Sequence, residues 1–288
     1  MINKAKVIFA DSRRLGDLLP EKSVDLVVTG PPYWNEVVYS DHDSQLSKIA
    51  DYQSFLAELS KVWSACSGVL KDGGIVALWV HDFLRKEENL FRYVPFHSDI
   101  LKTFDSSFNL RIIYVWDRYL NKDRGEIINA GLGIGTKVQY IIVLQKKGES
   151  KNHGQIEESL RKMYWQPVWT QKTSPKIFGS RLVFKILFNL GKLIGFRGFG
   201  ERIRGKLVND GYKFRDYTTE CPKDVPDLLI KSFSSSEDTI LDPFVGSGTT
   251  LKSAIKLKRN CVGIEVNKNA EASIKKKLKE AGLELSSS

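Results

Sequence analysis

The chain has 288 residues, of which 42% are hydrophobic, and carries a formal charge of +10. That length fits one large domain, or one domain with a sizeable insert, and that apolar share is enough to bury a core. Three scattered cysteines (Cys66, Cys221 and Cys261) exclude a disulfide framework and a paired zinc pattern, so no metal is expected and a reducing, cytoplasmic setting fits.

In chain order, residues 7–10 read as a short buried strand ending at Asp11, and 24–28 as the next. Residues 52–70 show helical apolar spacing, with Phe55, Leu56, Leu59, Val62, Trp63 and Val69 recurring at steps of three and four. Lys71-Asp72-Gly73-Gly74 is expected to end that helix in a turn, ahead of a strand at 75–80. Residues 99–104 look helical, and 110–116 and 138–144 look like strands. The alternation then fades. Later elements are a helix at 225–233, a strand at 239–241, a helix at 249–257, a strand at 261–265 and a Lys-rich helix from about 269 to 281. This order predicts an α/β fold on a mostly parallel central sheet.

The span 146–216 differs from the rest. Between Gln145 and Arg215 there are sixteen Lys/Arg against five Asp/Glu, which accounts for about the whole net charge. Aromatic residues are interleaved with these cations. A localised basic segment of this kind points to a polyanion, most simply a nucleic acid. The apolar stretch 182–199 is interrupted by Lys185, Asn189, Lys192 and Arg197, so no membrane span is expected there.

Two motifs close buried strands at opposite ends of the chain. The first is Thr29-Gly30-Pro31-Pro32-Tyr33-Trp34. Proline fixes φ and lacks an N–H, so Pro31-Pro32 makes a stiff ledge at a strand end, where α/β folds hold ligands. The Gly30 and Pro31 carbonyls are free to accept hydrogen bonds from an amino group, and aromatic rings at 33 and 34 can stack on a planar base. The second is Asp242-Pro243-Phe244-Val245-Gly246-Ser247-Gly248-Thr249-Thr250. Glycines between a strand and a helix let backbone approach a cofactor closely. Seventeen residues after Gly248, Glu265 ends the adjacent strand, where a carboxylate can accept from both ribose hydroxyls. The single glycine pair is a poor dinucleotide fingerprint, and no Gly-Lys-Ser/Thr follows it. A nucleoside cofactor without a pyrophosphate fits better.

These motifs resemble those of the S-adenosylmethionine-dependent amino DNA methyltransferases, in the order called the β class. There the Pro-Pro-aromatic motif comes first, a target-recognition region follows, and Phe-x-Gly-x-Gly comes last. The likeness covers most of 5–116 and 218–270 and weakens in the basic middle. It implies a Rossmann-like methyltransferase fold, with a discontinuous catalytic domain at 1–145 and 217–288 and a target-recognition region at 146–216. Asp242, Phe244, Gly246, Ser247, Gly248 and Thr249 would line the cofactor, Glu265 would hold its ribose, and Asp11 and Ser12 would sit by its adenine. Thr218, Thr219 and Pro222 would lie near its methionine end. Thr29, Gly30, Pro31, Pro32, Tyr33 and Trp34 would form the catalytic ledge, with Tyr33 stacked on a flipped base.

The resemblance also implies double-stranded DNA as partner. It admits a cognate restriction endonuclease, as in a restriction-modification pair, and a monomer or homodimer. The context Thr-x-Pro-Pro-Tyr-Trp looks more like the cytosine-N4 pattern, and adenine N6 is the alternative. One departure stands out. The family usually places Asp, Asn or Ser before Pro-Pro, and this chain has Gly30. The basic segment does not separate DNA from RNA, so an RNA amino-methyltransferase remains an open reading, and Gly30 leaves open a nucleic-acid-binding relative weakened in catalysis. His81-Asp82 reads equally as a site pair or as a sheet-edge loop.

Overall fold

The structure is a computed structural model that describes residues 4–34, 42–87, 90–117, 138–165, 168–170 and 224–283. The chain divides into a unit of residues 1–170 and 221–288 and a second unit, Gln171–Glu220, which lies outside the described residues.

The first unit is built on an eight-stranded sheet of order β1-β10-β9-β2-β3-β7-β6-β8. Its strands are β1 (Ala5–Phe9), β2 (Val24–Thr29), β3 (Leu70–Val80), β6 (Phe108–Asp117), β7 (Val138–Lys146), β8 (Val168–Thr170), β9 (Thr239–Asp242) and β10 (Asn260–Glu265). The hairpin β4 (Phe83–Glu87) and β5 (Leu90–Val94) forms a separate two-stranded sheet. The helices are α1 (Leu15–Leu18), α2 (Tyr52–Val69), α3 (Phe96–Asp99), α4 (His153–Trp165), α5 (Asp224–Phe233), α6 (Thr249–Lys256) and α7 (Glu271–Lys279). Among the described residues no helix is long and apolar enough to cross a membrane.

Strands β1, β10, β9, β2 and β3 run parallel, and β7 runs antiparallel to both β3 and β6. The parallel strands are apolar nearly end to end because both sheet faces are covered. In β2 every residue except Asp25 is buried. One core packs α2 against the sheet through Phe55, Leu59, Val62 and Trp63. The other packs α5 and α6 on the opposite face through Val225, Leu229, Phe233, Leu251 and Ala254.

Three details differ from the sequence expectation. Lys71-Asp72-Gly73-Gly74 does not break the chain between helix and strand. It forms a bulge inside β3, where pairing jumps from Val24–Leu70 to Leu26–Ile75. The helix expected at 99–104 is α3 followed by a 3-10 turn, Ile100–Thr103. Residues 153–170, placed with the basic insert on composition, supply α4 and β8 to the first unit. Ile156 and Leu160 of α4 belong to the α5–α6 core.

Candidate active site

Parallel pairing of β1, β10, β9, β2 and β3 brings their carboxyl ends to one edge of the sheet. β2 lies beside β9, with Leu26 opposite Ile240 and Val27 opposite Leu241. The two motifs, more than two hundred residues apart in sequence, therefore emerge side by side. A direct bond joins them: Thr29 Oγ1 donates to Asp242 Oδ1 at 2.6 Å, with both residues buried. The same carboxylate oxygen accepts the Phe244 N–H at 3.0 Å. Burial pushes the Asp242 carboxyl up to about 6, against the opposing pull of the Thr29, Thr250 and Phe244 donors. Asp242 thus serves as the buried tie between the two loops.

The glycine loop turns tightly into α6. Gly248 caps that helix with φ of 89°, a left-handed conformation, and a Cβ there would lie 3.2 Å from Ile274 Cα of α7. Both the turn and the close approach of α7 require glycine at this position. At the tip of β10, Glu265 is fixed by two backbone donors, Gly246 N–H at 2.8 Å and Asn267 N–H at 2.9 Å. The Val266 N–H also bonds this carboxylate, which still has acceptor capacity for an incoming hydroxyl. Burial raises the Glu265 carboxyl, and its backbone donors oppose that shift. Ser247 and Thr249 pair their hydroxyls at 3.1 Å.

Ser12 binds the same loop, donating from Oγ to the Pro243 carbonyl. Its neighbour Asp11 is held by Arg13, whose Nε reaches both carboxylate oxygens at 2.9 Å. Burial works to raise Asp11, but the hydrogen bonds and charge of Arg13 outweigh it and keep the carboxyl below its ordinary range. Phe244 packs edge-on against Trp63 at 6.1 Å. Thr218, Thr219 and Pro222 lie outside the described residues.

On the ledge, Pro31 and Pro32 are buried. Tyr33 is 6% exposed, with His81 against its ring at 4.1 Å between centroids. Phe83 and Phe96 meet it edge-on at 6.3 and 5.7 Å. Trp34 is turned into the body rather than toward a ligand. Its Nε1 donates to the Ile49 carbonyl at 2.8 Å, and the Arg85 guanidinium lies 3.7 Å over its ring. A partly buried guanidinium over an indole contributes about 1 kcal/mol, which helps Trp34 anchor the ledge.

Sequence reasoning left His81-Asp82 undecided and passed over Trp79. Asp82 is 1% exposed and accepts from His97 N at 2.9 Å, from Tyr93 Oη, and pairs with His97 Nδ1 at 2.7 Å. His97 stacks on Tyr140 at 3.9 Å. This network around the buried Asp82 fixes the chain just past β3, where His81 meets Tyr33. Its position directly after a strand was the available signal.

Residues 24–276 match a family model described as DNA methylase. The chain is 28% identical to the type II methyltransferase M.MjaI of Methanocaldococcus jannaschii, across 95% of this chain and 90% of that protein. It is 24% identical to the type II methyltransferase M.MthZI of Methanothermobacter thermautotrophicus, across 96% of this chain and 76% of that one. Among solved structures it is similar to TTHA0409, a putative DNA modification methylase of Thermus thermophilus, complexed with S-adenosyl-L-methionine. The TM-score there is 0.62 at 22% identity, covering 97% of this chain and 94% of that one. The PvuII DNA methyltransferase, cytosine-N4-specific, gives 0.61 at 15% identity, covering 100% and 89%. These structural likenesses establish a Rossmann-like methyltransferase fold.

Proposed function

The chain belongs to the DNA methylase family, and we propose that it transfers a methyl group from S-adenosylmethionine to the N4 amine of cytosine in double-stranded DNA. The single observation that carries this reading is the Thr29–Asp242 bond, which locks the Pro-Pro-Tyr ledge beside the glycine loop. The residues present suit the cofactor. Glu265, oriented by the backbone N–H groups of Gly246, Val266 and Asn267, has acceptor capacity left for the ribose. The 246–249 loop and Phe244 would flank its methionine and adenosine parts, with Ser12 and Asp11 at the adenine. S-adenosylmethionine supplies an electrophilic methyl on a sulfonium.

The protein's own work is positioning and polarisation. The Gly30 and Pro31 carbonyls accept from the two amino hydrogens of the target, which frees the nitrogen lone pair that ring conjugation otherwise holds. The lone pair so freed would attack the sulfonium methyl, S-adenosylhomocysteine would leave as the neutral thioether, and the methylated amine would shed one proton to solvent. The base has to leave the duplex to reach the ledge, at a cost of about a few kcal/mol. The basic span 171–216, with Lys and Arg for phosphates, would contribute the contacts that offset this cost. Cytosine is favoured by the Thr-x-Pro-Pro-Tyr-Trp context and by the small residue at position 30. The test is transfer of labelled methyl to duplex DNA, then digestion to nucleosides and mass spectrometry. N4-methylcytosine is expected. 6-Methyladenine would overturn the choice of base, and label appearing only in RNA would overturn the choice of polymer.

A further inference from the structure

Gly30 reads in sequence as a lost polar side chain, but the space that side chain would use is occupied. A Cβ at Gly30 would lie 2.5 Å from Trp79 Nε1, 2.7 Å from Cε2 and 3.1 Å from Cζ2. The register explains this approach: Thr29 lies opposite Leu78, so the next step carries Gly30 to Trp79. The indole cannot move aside cheaply. Trp79 is 8% exposed, belongs to the core that includes Val28, Ile141 and Tyr114, and has Ile141 opposite it on β7. A rigid ring packed in that way resists an added atom. Among the described residues Trp79 Nε1–H has no hydrogen-bond partner, and it lies at the ledge where the target base would rest.

Resting on the proposed function, we propose that Trp79 replaces the side chain missing at position 30. Its indole N–H contacts the flipped base, and the Gly30–Trp79 pair works only as a unit. The chemistry differs from that of the usual residue. Asp, Asn and Ser offer an acceptor at this point, whereas indole offers only a donor. A donor beside the amine suits the ring nitrogen next to it, which is an acceptor in cytosine and in adenine. It opposes thymine, whose corresponding ring nitrogen carries a hydrogen. The main-chain carbonyls of Gly30 and Pro31 then accept from the amine, and Trp79 sets the base's orientation and rejects bases without an amino group.

Four proteins test this: the wild type, Gly30→Ser, Trp79→Phe, and Gly30→Ser with Trp79→Leu. Each is scored for kcat and KM on duplex DNA, for S-adenosylmethionine affinity by calorimetry, and for melting temperature. Trp79→Phe removes the N–H and keeps most of the ring. It should lower kcat/KM for DNA about tenfold, with cofactor affinity within about twofold. Gly30→Ser alone should lose at least about tenfold in kcat and melt earlier, because its Cβ has no room. Adding Trp79→Leu should recover much of both losses. Wild-type rates in Trp79→Phe would overturn the base contact, and a Gly30→Ser protein matching the wild type would overturn the pairing. A wild type that binds the cofactor yet methylates no nucleic acid refutes the proposed function and the base contact with it. The melting temperatures then still decide whether Gly30 and Trp79 are exchanged as a pair.

Discussion

Thr29→Val probes the tie between the two loops with almost no change in volume. Valine keeps the β-branched shape that suits the end of β2 and removes the hydroxyl that donates to Asp242 at 2.6 Å. Asp242 remains buried with one donor fewer, so its carboxyl should rise further above the value of about 6 that it has now. The sign follows from linkage. A carboxyl whose folded value exceeds its ordinary 3.8 binds its proton more readily in the folded state. Its contribution to stability is complete below the unfolded value and is lost as pH rises through the folded one. At pH 8 the substitution therefore strands a charged group and should cost about 2–3 kcal/mol, the range for a hydrogen bond to a charged partner. At pH 5, where Asp242 is largely protonated, the cost should fall to about 1 kcal/mol. For a chain of this size each kcal/mol moves Tm by about 2 °C. Calorimetric melting should thus show a drop of about 4–6 °C at pH 8 and about 2 °C at pH 5. An equal drop at both pH values, or none at either, would refute the argument that a buried charge joins the loops.

Two further substitutions test the cofactor side. Glu265→Gln replaces an acceptor pair with one acceptor and one donor, and the new amide donor must face an N–H of Gly246 or Asn267. S-adenosylmethionine affinity should weaken about tenfold or more in titration calorimetry, and unchanged affinity would remove Glu265 from the ribose site. Gly248→Ala puts a Cβ on a residue at φ of 89° and within 3.2 Å of Ile274 Cα. It should cost about 1–3 kcal/mol of stability by denaturant titration, and a neutral result would show that α7 yields at that contact.

The elements that carry the site were legible because their signals are local. Val24 to Thr29 and the 261–265 run are short apolar stretches closed by turn residues, and in the sheet they are neighbours of β9. Glu265 ends the strand beside β9, as read, and accepts the Gly246 N–H of the glycine loop. What was missed depends on packing across distance. Lys71 and Asp72 hid the start of β3, because Lys71 pairs with Asp25 of β2 at 2.7 Å and so sits in the sheet despite its charge. The β4–β5 hairpin was hidden by Arg85, Lys86 and Arg92, although Phe83 and Val94 are buried. Helix α4 was masked by its polar composition, and among its described residues the core takes up Ile156 and Leu160. The antiparallel direction of β7 cannot be read from an apolar run, since strand polarity leaves no local mark. Trp34 shows the same limit. Sequence placed an aromatic beside the ledge, and Arg85 and Tyr52, distant in sequence, turn it inward.

On the proposed function, both ends of the chain build one cofactor site. Hydrogen exchange with and without S-adenosylmethionine tests it directly, peptide by peptide. Protection should increase together in segments spanning residues 9–14, 29–34, 242–250 and 264–267. Protection confined to other segments, or a change at the glycine loop with none at the Pro-Pro-Tyr ledge, would contradict it.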